Sequence, residues 1–366
     1  MKRFVVFALP VAAAMLVASG AQAAGIVSNG TVALGVKDTG ALNVGGATPI
    51  FGPAFTSPGV GGTVGGTGVR GLFVNGTSGY EATYPGCLCE GWGAGWTDGA
   101  TSRSGYDGNG FSNIALVSAV FGTDSDGNGI GTTVVRISDA AGSPSLEVTH
   151  EFRSSASDYL YQVNVTMKNI SGADLGSGAT GLRYTRLMDF DTEPTAFSEF
   201  ITIQGHPAEN LLYTNDDGFE AANPFLAGRS SIAACAPASA NFTDCGPTDH
   251  GARFDFGFAA LLGADDPGTE FDDTMKTISI FYGAAPTERE ALLALFAVEA
   301  EVYAFGQCNP PTGGCSPVTG TPITYIFGFQ GVGGVIIDPD PVPEPGSLAL
   351  LGLGLLGLAG ARRKAA

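Results

Sequence analysis

Polar and apolar side chains alternate along much of the chain after Ile114. In the segment YLYQVNVTMKNI every second residue from Tyr161 to Met167 is apolar, and the residues between them are polar. A period of two with one apolar face is typical of a half-buried antiparallel strand. Comparable segments are NIALVSAVFGT, TTVVRISDA, SLEVTHEFR, LRYTRLMDFD, FITIQG, ARFDFGFAALL, KTISIFYGAA and TYIFGFQGV. Turns rich in Gly, Asp, Asn, Ser or Pro separate most of them, so the pattern predicts a mainly β, large antiparallel β-sandwich-like domain.

One segment has a helical pattern instead. Thr287 precedes the Ala- and Leu-rich run EREALLALFAVEAEVYAFGQ, and Glu290 stands three residues after it, as in a capping box. Gly306 is a suitable helix stop. We therefore predict one helix over residues 287–305, and its largely apolar surface favours packing across a sheet.

The first 23 residues have the layout of a secretory signal. A basic pair, Lys2 and Arg3, precedes an apolar run over residues 4–18, and small residues end the segment at Ala23. This order of charged, apolar and small residues is that of an export signal with its own apolar helix, which is removed from the mature protein. We therefore expect residues 24–340 to form an exported, β-rich body.

The C-terminal segment, residues 341–366, has three parts in a fixed order. A Pro-Glu-Pro turn comes first, an uncharged apolar run over residues 347–361 follows, and three basic residues come last: Pro343, Glu344, Pro345, then Arg362, Arg363 and Lys364. A fifteen-residue helix spans about 22 Å, less than the bilayer core of about 30 Å, so the run predicts a marginal membrane span. The basic residues are expected on the cytoplasmic side.

This tail resembles the PEP-CTERM sorting tail of Gram-negative bacteria. The same tail also carries the label ice-binding protein C-terminal domain, which describes the tail and says nothing about ice binding by the body. The resemblance implies recognition by an exosortase, an integral-membrane protease, and an association with exopolysaccharide production. It further implies a precursor tethered to the inner membrane by its tail, then a processed protein in the outer envelope, on the cell surface or in the extracellular matrix.

The body is similar to other exported proteins with this tail. The similar stretches are residues 87–93, 182–205 and 281–307. Those relatives imply an envelope location and a shared fold, and they imply no particular activity.

Composition excludes one class of partner. The formal net charge is −18 and charged residues are only 14% of the chain. An acidic surface repels nucleic-acid phosphates and anionic lipids, so we expect no nucleic-acid partner. The 56 glycines are not arranged in a three-residue period, and 23 phenylalanines supply a hydrophobic core, so neither collagen nor disorder fits.

An even number of cysteines, six, suits an exported protein with disulfides. Two close pairs are the disulfide candidates: Cys235 with Cys245, and Cys308 with Cys315. The other two cysteines flank Leu88, and a bridge between residues two apart strains disulfide geometry. They are therefore either reduced or bonded to other partners, and the spacing does not favour zinc.

Calcium is the candidate ion. Asp124, Asp126 and Asn128 follow the D-x-D-x-N-G opening of many calcium loops, in which hard oxygens recur at every second residue. The closing glutamate of an EF-hand is absent, because the twelfth residue is Val135. The alternative is an Asp/Asn/Gly hairpin turn that needs no metal.

Two carboxylates on one predicted strand face are the candidates for catalysis. Asp189 and Asp191 are two residues apart, and paired carboxylates can act as acid and base in glycoside hydrolysis. The alternatives are ion pairing with Arg183 or Arg186, or an acidic strand end without catalysis. Because no nucleophile elbow, Walker loop or zinc-protease motif occurs, we predict a non-enzymatic envelope or matrix protein, with a carbohydrate-active enzyme as the alternative.

Overall fold

The structure is a computed structural model of the chain. It describes residues 24–44, 48–54, 72–74, 80–83, 90–192, 195–227, 229, 231–232, 239–264, 272–309 and 323–339. The expected signal segment, the Pro-Glu-Pro turn, the apolar run after it and the basic cluster therefore lie outside the described residues. The predicted domain boundaries at both ends stay predictions.

The described residues form twenty strands and one helix, which confirms the mainly β prediction. The elements are β1 (Ala24–Ser28), β2 (Val32–Lys37), β3 (Ile50–Phe51), β4 (Leu72–Val74), β5 (Tyr80–Glu81), β6 (Glu90–Asp98), β7 (Thr101–Gly108), β8 (Gly110–Ser112), β9 (Ala115–Thr123), β10 (Gly129–Ser138), β11 (Pro144–Ser154), β12 (Leu160–Asn169), β13 (Leu182–Asp189), β14 (Glu199–Gln204), β15 (Leu211–Asn215), β16 (Phe242–Thr248), β17 (Gly251–Phe258), β18 (Met275–Ala285), α1 (Glu288–Ala297), β19 (Val302–Gln307) and β20 (Thr324–Gln330).

The strands assemble into three sheets. The largest has nine strands in the order β16-β14-β19-β20-β18-β12-β11-β10-β9, and the second has six in the order β15-β17-β13-β6-β7-β8. A third, N-terminal sheet has the order β3-β1-β2-β4-β5. Every pairing among these strands is antiparallel except that of β1 with β3.

The nine-stranded and six-stranded sheets pack face to face. Phe254 of β17 lies 5.5 Å, between ring centroids, from Phe327 of β20 and 4.8 Å from Phe329 of the same strand. The alternation in β12 explains how such an interface forms, since its apolar residues from Tyr161 to Met167 are all fully buried. Burial of one face of each sheet makes a sandwich core, as the sequence pattern predicts.

The helix begins as predicted and ends earlier. Thr287 is the N-cap, and its hydroxyl oxygen accepts the backbone N–H of Glu290 at 3.2 Å. The helix stops at Ala297, and the chain then turns through Glu299 at a φ of 54°. The prediction of helix as far as residue 305 is wrong, because Val302–Gln307 pairs with β14 and β20 as strand β19.

The helix covers the outer face of the nine-stranded sheet. Its buried residues Ala291, Ala294 and Leu295 share a hydrophobic cluster with Phe281 of β18 and Ile326 of β20. This packing confirms the expectation of a helix lying across a sheet. It also means that the nine-stranded sheet is apolar on both faces under α1.

Strand β6 does not follow the alternating pattern, because glycines occupy one of its faces. A Cβ atom on Gly93 would lie only 2.0 Å from the carbonyl oxygen of Ala222, so the loop after β15 packs directly on the β6 backbone. Arg253 holds this loop by donating to the carbonyl oxygens of Ala221 and Asn223 at 2.8 and 2.9 Å. Close backbone contact therefore requires glycine at a position where the strand pattern favours a larger residue.

The two described members of the candidate cysteine pairs, Cys245 and Cys308, are both disulfide-bonded. Cys235 and Cys315, their expected partners, lie outside the described residues. Disulfide bonding at these two positions agrees with export, and the pairing itself stays a prediction.

Candidate functional site

Three carboxylates meet at one end of the six-stranded sheet. Asp189 is the last residue of β13, and Asp191 lies two residues further along the chain. Asp249 lies between β16 and β17. One carboxylate oxygen from each lies within 4.8 Å of the others. Asp189 and Asp191 are fully buried, whereas Asp249 is half-buried. We call these three residues the carboxylate cluster.

The antiparallel ladder of β13 and β17 brings these residues together. Asp189 is paired with Gly251, and the backbone N–H of Phe190 donates to the carbonyl oxygen of His250 at 3.0 Å. The ladder thus continues one step beyond the strand, which sets Asp191 opposite Asp249. Alternation then puts all three carboxylates on one face and Phe190 on the other.

A fourth acidic residue, Glu199 at the start of β14, contributes to the same region. It is fully buried, and its two carboxylate oxygens accept the backbone N–H groups of His250 at 2.8 Å and of Ser198 at 2.9 Å. These hydrogen bonds fix the side chain beside the carboxylate cluster.

The buried acids have perturbed protonation equilibria. Burial, followed by the negative charges of Asp191, Asp249 and Glu199, raises the pKa of Asp189 to about 10. Burial likewise raises the pKa of Glu199 to about 8, although the N–H groups of His250 and Ser198 oppose the increase. Burial also raises the pKa of Asp249. Negative charge is therefore costly at this site unless protons or a cation compensate for it.

The donor atoms limit what the carboxylate cluster can do. Carboxylate oxygens suit protons and hard cations such as calcium, which binds oxygen ligands from several residues. Glycoside hydrolysis also uses two carboxylates, but both must contact the sugar. Asp189 and Asp191 have no surface exposure, so the described residues offer a sugar no direct contact with the pair predicted from sequence.

The expected ion pairs with Arg183 or Arg186 are not formed by these aspartates in the described structure. The Nε atom of Arg183 donates to the carbonyl oxygen of Thr180 at 2.9 Å. Arg186 binds Glu90 instead, with 2.6 Å between Nε and Oε1. Arg183 and Arg186 therefore have partners other than Asp189 and Asp191.

The Arg186–Glu90 pair lies at the centre of a second buried polar network. The hydroxyl of Tyr282 donates to Glu90 Oε1 at 2.8 Å, and the backbone N–H of Leu42 donates to Oε2 at 2.6 Å. Arg186 Nη2 donates to the carbonyl oxygen of Gly40 at 3.2 Å. The network therefore joins β6 and β13 of one sheet, β18 of another and the turn after β2.

Aspartates in two further acidic turns are buried. Asp216 is 1% exposed; it accepts the backbone N–H of Ile232 at 3.0 Å and lies 3.1 Å from His250 Nδ1. Asp107 is also buried, and its carboxylate accepts a hydrogen bond from Lys37 Nζ at 3.0 Å. Packing against other segments, rather than turn sequence, determines their environment.

Two of the three histidines lie in the interior. His150 and His250 have no exposure at all. Burial, followed by the positive charge of Arg186, lowers the pKa of His150 well below its usual range. His150 is therefore a neutral core residue, with Nε2 lying 3.3 Å from the hydroxyl of Tyr184.

The candidate calcium loop is the hairpin turn between β9 and β10. Asp124 Oδ1 accepts the backbone N–H groups of Asp126 and Asn128, each at 2.9 Å. The N–H of Asp124 donates to the carbonyl oxygen of Asn128 at 2.9 Å, and Gly127 adopts a φ of 85°. This is an Asx turn held by its own hydrogen bonds. Calcium binding at these three residues stays a prediction.

Sequence analysis missed Glu199, Asp249 and Glu90. Each is an isolated acidic residue with no partner at a recognisable spacing, and the contacts that define it come from distant segments. For Glu90 and Arg186 the separation is 96 residues. The one feature of the sequence that points to the carboxylate cluster is the spacing of Asp189 and Asp191, which are two residues apart.

Comparison with curated proteins gives no match. Among solved structures, a protein from Escherichia coli K12 assigned as an aldose 1-epimerase aligns with 84% of this chain and 87% of its own. The identity is 10% and the TM-score is 0.29, so this likeness carries no argument about activity.

The C-terminal tail is the part of the chain with an informative match. No helix among the described residues is long and apolar enough to cross a membrane, and the tail itself lies outside them. A match of the tail to a known sorting motif agrees with the prediction made from its three-part sequence. Residues 341–364 match the PEP-CTERM protein-sorting motif, so the chain carries this sorting tail, which is the signal of an exported protein.

Proposed function

We propose that this protein is a non-enzymatic component of the cell envelope or extracellular matrix that associates with exopolysaccharide. The observation that carries the proposal is the match of residues 341–364 to the PEP-CTERM sorting motif. A sorted protein acts at the location to which its tail directs it. The PEP-CTERM tail, which this segment resembles, implies an association with exopolysaccharide production.

The carboxylate cluster supports the non-enzymatic part of the proposal. A glycosidase needs one carboxylic acid beside the leaving oxygen and a second carboxylate at the sugar ring. Asp189 and Asp191 are buried, and burial followed by the negative charge of Asp191 raises the pKa of Asp189. We infer that they belong to the interior of the body and do not contact substrate.

We further infer how the precursor is processed. The apolar run over residues 347–361 holds it in the inner membrane, with Arg362 and its basic neighbours on the cytoplasmic side. An exosortase then acts near Pro343-Glu344-Pro345. Intact-mass analysis of the protein from producing cells should show loss of both ends, and a full-length C-terminus would contradict processing.

One experiment separates the two functional classes. Protein recovered from producing cells is incubated with the exopolysaccharide of the same cells, and both retention and soluble oligosaccharides are measured. Retention without cleavage supports the proposal. Progressive release of oligosaccharides that is lost in Asp189→Asn supports a carbohydrate-active enzyme instead.

The Asp189→Asn variant requires a control for folding, because the residue is buried. Asp158→Asn changes an exposed carboxylate and serves as the matched substitution. If neither retention nor cleavage occurs with folded wild-type protein, exopolysaccharide association is wrong, while export and sorting are unaffected.

A further inference from the structure

Strand β9 forms one end of the nine-stranded sheet. Within the described residues it pairs with β10 alone, so its second backbone edge faces away from the sheet. At nine residues it is longer than the other terminal strands of the three sheets: β16, β15, β8, β3 and β5. An edge of this kind presents N–H and C=O groups that can pair with another strand.

The sequence around β9 is uncharged and apolar. Residues 108–123 contain no ionisable side chain, although the whole chain has a formal net charge of −18. Four of the large apolar side chains in this stretch are exposed by 60, 50, 47 and 37%, respectively: Phe111, Leu116, Val117 and Val120. Together with the outer backbone edge of β9 they form what we call the β9 strip.

The β9 strip lies at one end of the nine-stranded sheet. Leu116 is paired with Val135, whose side chain is fully buried, yet Leu116 is half exposed at the rim of the core. The β9–β10 ladder shifts register between Val134 and Val135 of β10, and Val117 of β9 therefore forms a bulge with no ladder partner on β10. From Ser118 to Thr123 the pairing with β10 is regular, so about 20 Å of straight edge is available.

The opposite end of the same sheet has features that oppose edge pairing. Strand β16 contains Pro247, which lacks an N–H donor, and Asp244, which carries charge and adopts a φ of 50°. Its register against β14 shifts twice. Proline, charge and bulges are the usual means by which proteins protect a sheet edge. The β9 strip contains no proline and no charged residue.

We propose that two copies of this chain associate through the β9 strip, with the two β9 strands pairing antiparallel around a two-fold axis near Val120. Antiparallel pairing is self-complementary, because each strand presents the same edge to the other. Charge favours a second copy here, since two acidic chains repel least where neither carries an ionisable group. A cationic partner would find no carboxylate in the strip.

The expected dimer is dissociable. Pairing over about 20 Å with a few apolar side chains gives a small interface, and interfaces below about 1,200 Å² are typical of transient complexes. Association should therefore depend on protein concentration. Substitution of Val120 by lysine should oppose it, because the two-fold axis near Val120 places the two introduced charges beside each other. Substitution of Val117 by lysine puts one charge at each end of the pairing edge, where charged side chains oppose the addition of a strand.

The test uses full-length chain in a non-ionic detergent and measures mass by sedimentation over a hundredfold range of concentration. Wild type should shift from monomer to dimer, whereas Val117→Lys and Val120→Lys should remain monomeric. Phe296→Lys on α1 is the matched control, because Phe296 and Val117 are both 47% exposed. It should dimerise as wild type does. All variants keep the same tail, so association through the tail affects them equally.

Hydrogen exchange on the wild-type protein provides a second readout that needs no variant. Amides of residues 118–123 should become more protected as concentration increases, while those of residues 288–297 should not change. The proposal is overturned if wild type stays monomeric, if Phe296→Lys abolishes the dimer as fully as Val117→Lys, or if the dimer forms without added protection in residues 118–123.

Discussion

Arg186 and Glu90 form a fully buried ion pair, with 2.6 Å between Nε and Oε1. The partners stand on adjacent strands of the six-stranded sheet, and Tyr282 from the nine-stranded sheet donates to the same carboxylate oxygen. The turn after β2 adds the N–H of Leu42 and the carbonyl oxygen of Gly40. A single charged pair thus has hydrogen bonds to two sheets and to the turn that follows β2 of the third.

Loss of one member of this pair should destabilise the protein strongly. Glu90→Gln leaves the Arg186 charge buried without its counter-charge, which typically costs about 3–5 kcal/mol of unfolding free energy. Urea unfolding of the variant and of wild type measures the difference. Glu147→Gln is the control, because Glu147 pairs with Arg136 in a partly exposed bridge worth less than about 1 kcal/mol. Equal losses in the two variants would contradict a special role for the buried pair.

The carboxylate cluster should make the protein less stable as pH rises. The folded-state pKa values of Asp189, about 10, and Glu199, about 8, lie above the ordinary values of 3.8 and 4.5. The folded state therefore holds protons that the unfolded state has released. This stabilisation is complete below about pH 4 and is lost as pH increases through 8 and then 10. The melting temperature, measured in the presence of a chelator, should fall as the pH is increased from 5 to 9.

The Asp249→Asn variant tests the origin of that pH dependence. Removing one negative charge beside Asp189 and Glu199 should flatten the decline of the melting midpoint above pH 6. Asp158→Asn, at an exposed position, should leave the profile unchanged. A wild-type midpoint that rises steadily from pH 5 to 9 would refute the assignment.

Calcium should raise the melting temperature through the loop between β9 and β10. With free calcium at ten times Kd the stabilisation is about 1.4 kcal/mol, or a degree or more in Tm. Asp124→Asn keeps an oxygen acceptor for the turn but removes the charge, and it should abolish the shift between calcium and chelator. Asp249→Asn should retain the shift. Loss of the shift only in Asp249→Asn would move the ion to the carboxylate cluster, and equal wild-type midpoints would leave Asp124, Asp126 and Asn128 as a turn without metal.

Gly40 should tolerate no side chain. Its φ is 88°, and a Cβ atom would lie 2.6 Å from His150 Nδ1 and 2.7 Å from Thr133 Oγ1. Gly40→Ala should therefore lose about 1–2 kcal/mol for the left-handed backbone and about 1–3 kcal/mol more for overpacking. Gly142→Ala is the matched control, with a φ of 83° and no atom within 4 Å of its Cβ. Urea unfolding should give the smaller loss for Gly142→Ala, and similar losses would argue against tight packing at Gly40.

Elements with local signals follow from the order of the amino acids alone. Alternation from Tyr161 to Met167 encodes a strand with one buried face, and that face is buried in the structure. The start of α1 follows from Thr287 and Glu290, which are three residues apart and cap the helix without help from elsewhere. The sorting tail is a linear motif, so its residues are recognisable without any fold.

Features that depend on neighbours distant in sequence arise only when the chain folds. The run from Val302 to Gln307 is a strand because β14 and β20 supply hydrogen-bonding partners on its two sides, which local helical propensity cannot reveal. The carboxylate cluster needs Asp249 to lie across the ladder from Asp191, and the Arg186–Glu90 pair joins residues 96 positions apart. Burial then changed the chemistry of these groups, because the pKa of a carboxylate depends on the solvent and charges around it rather than on its place in the chain.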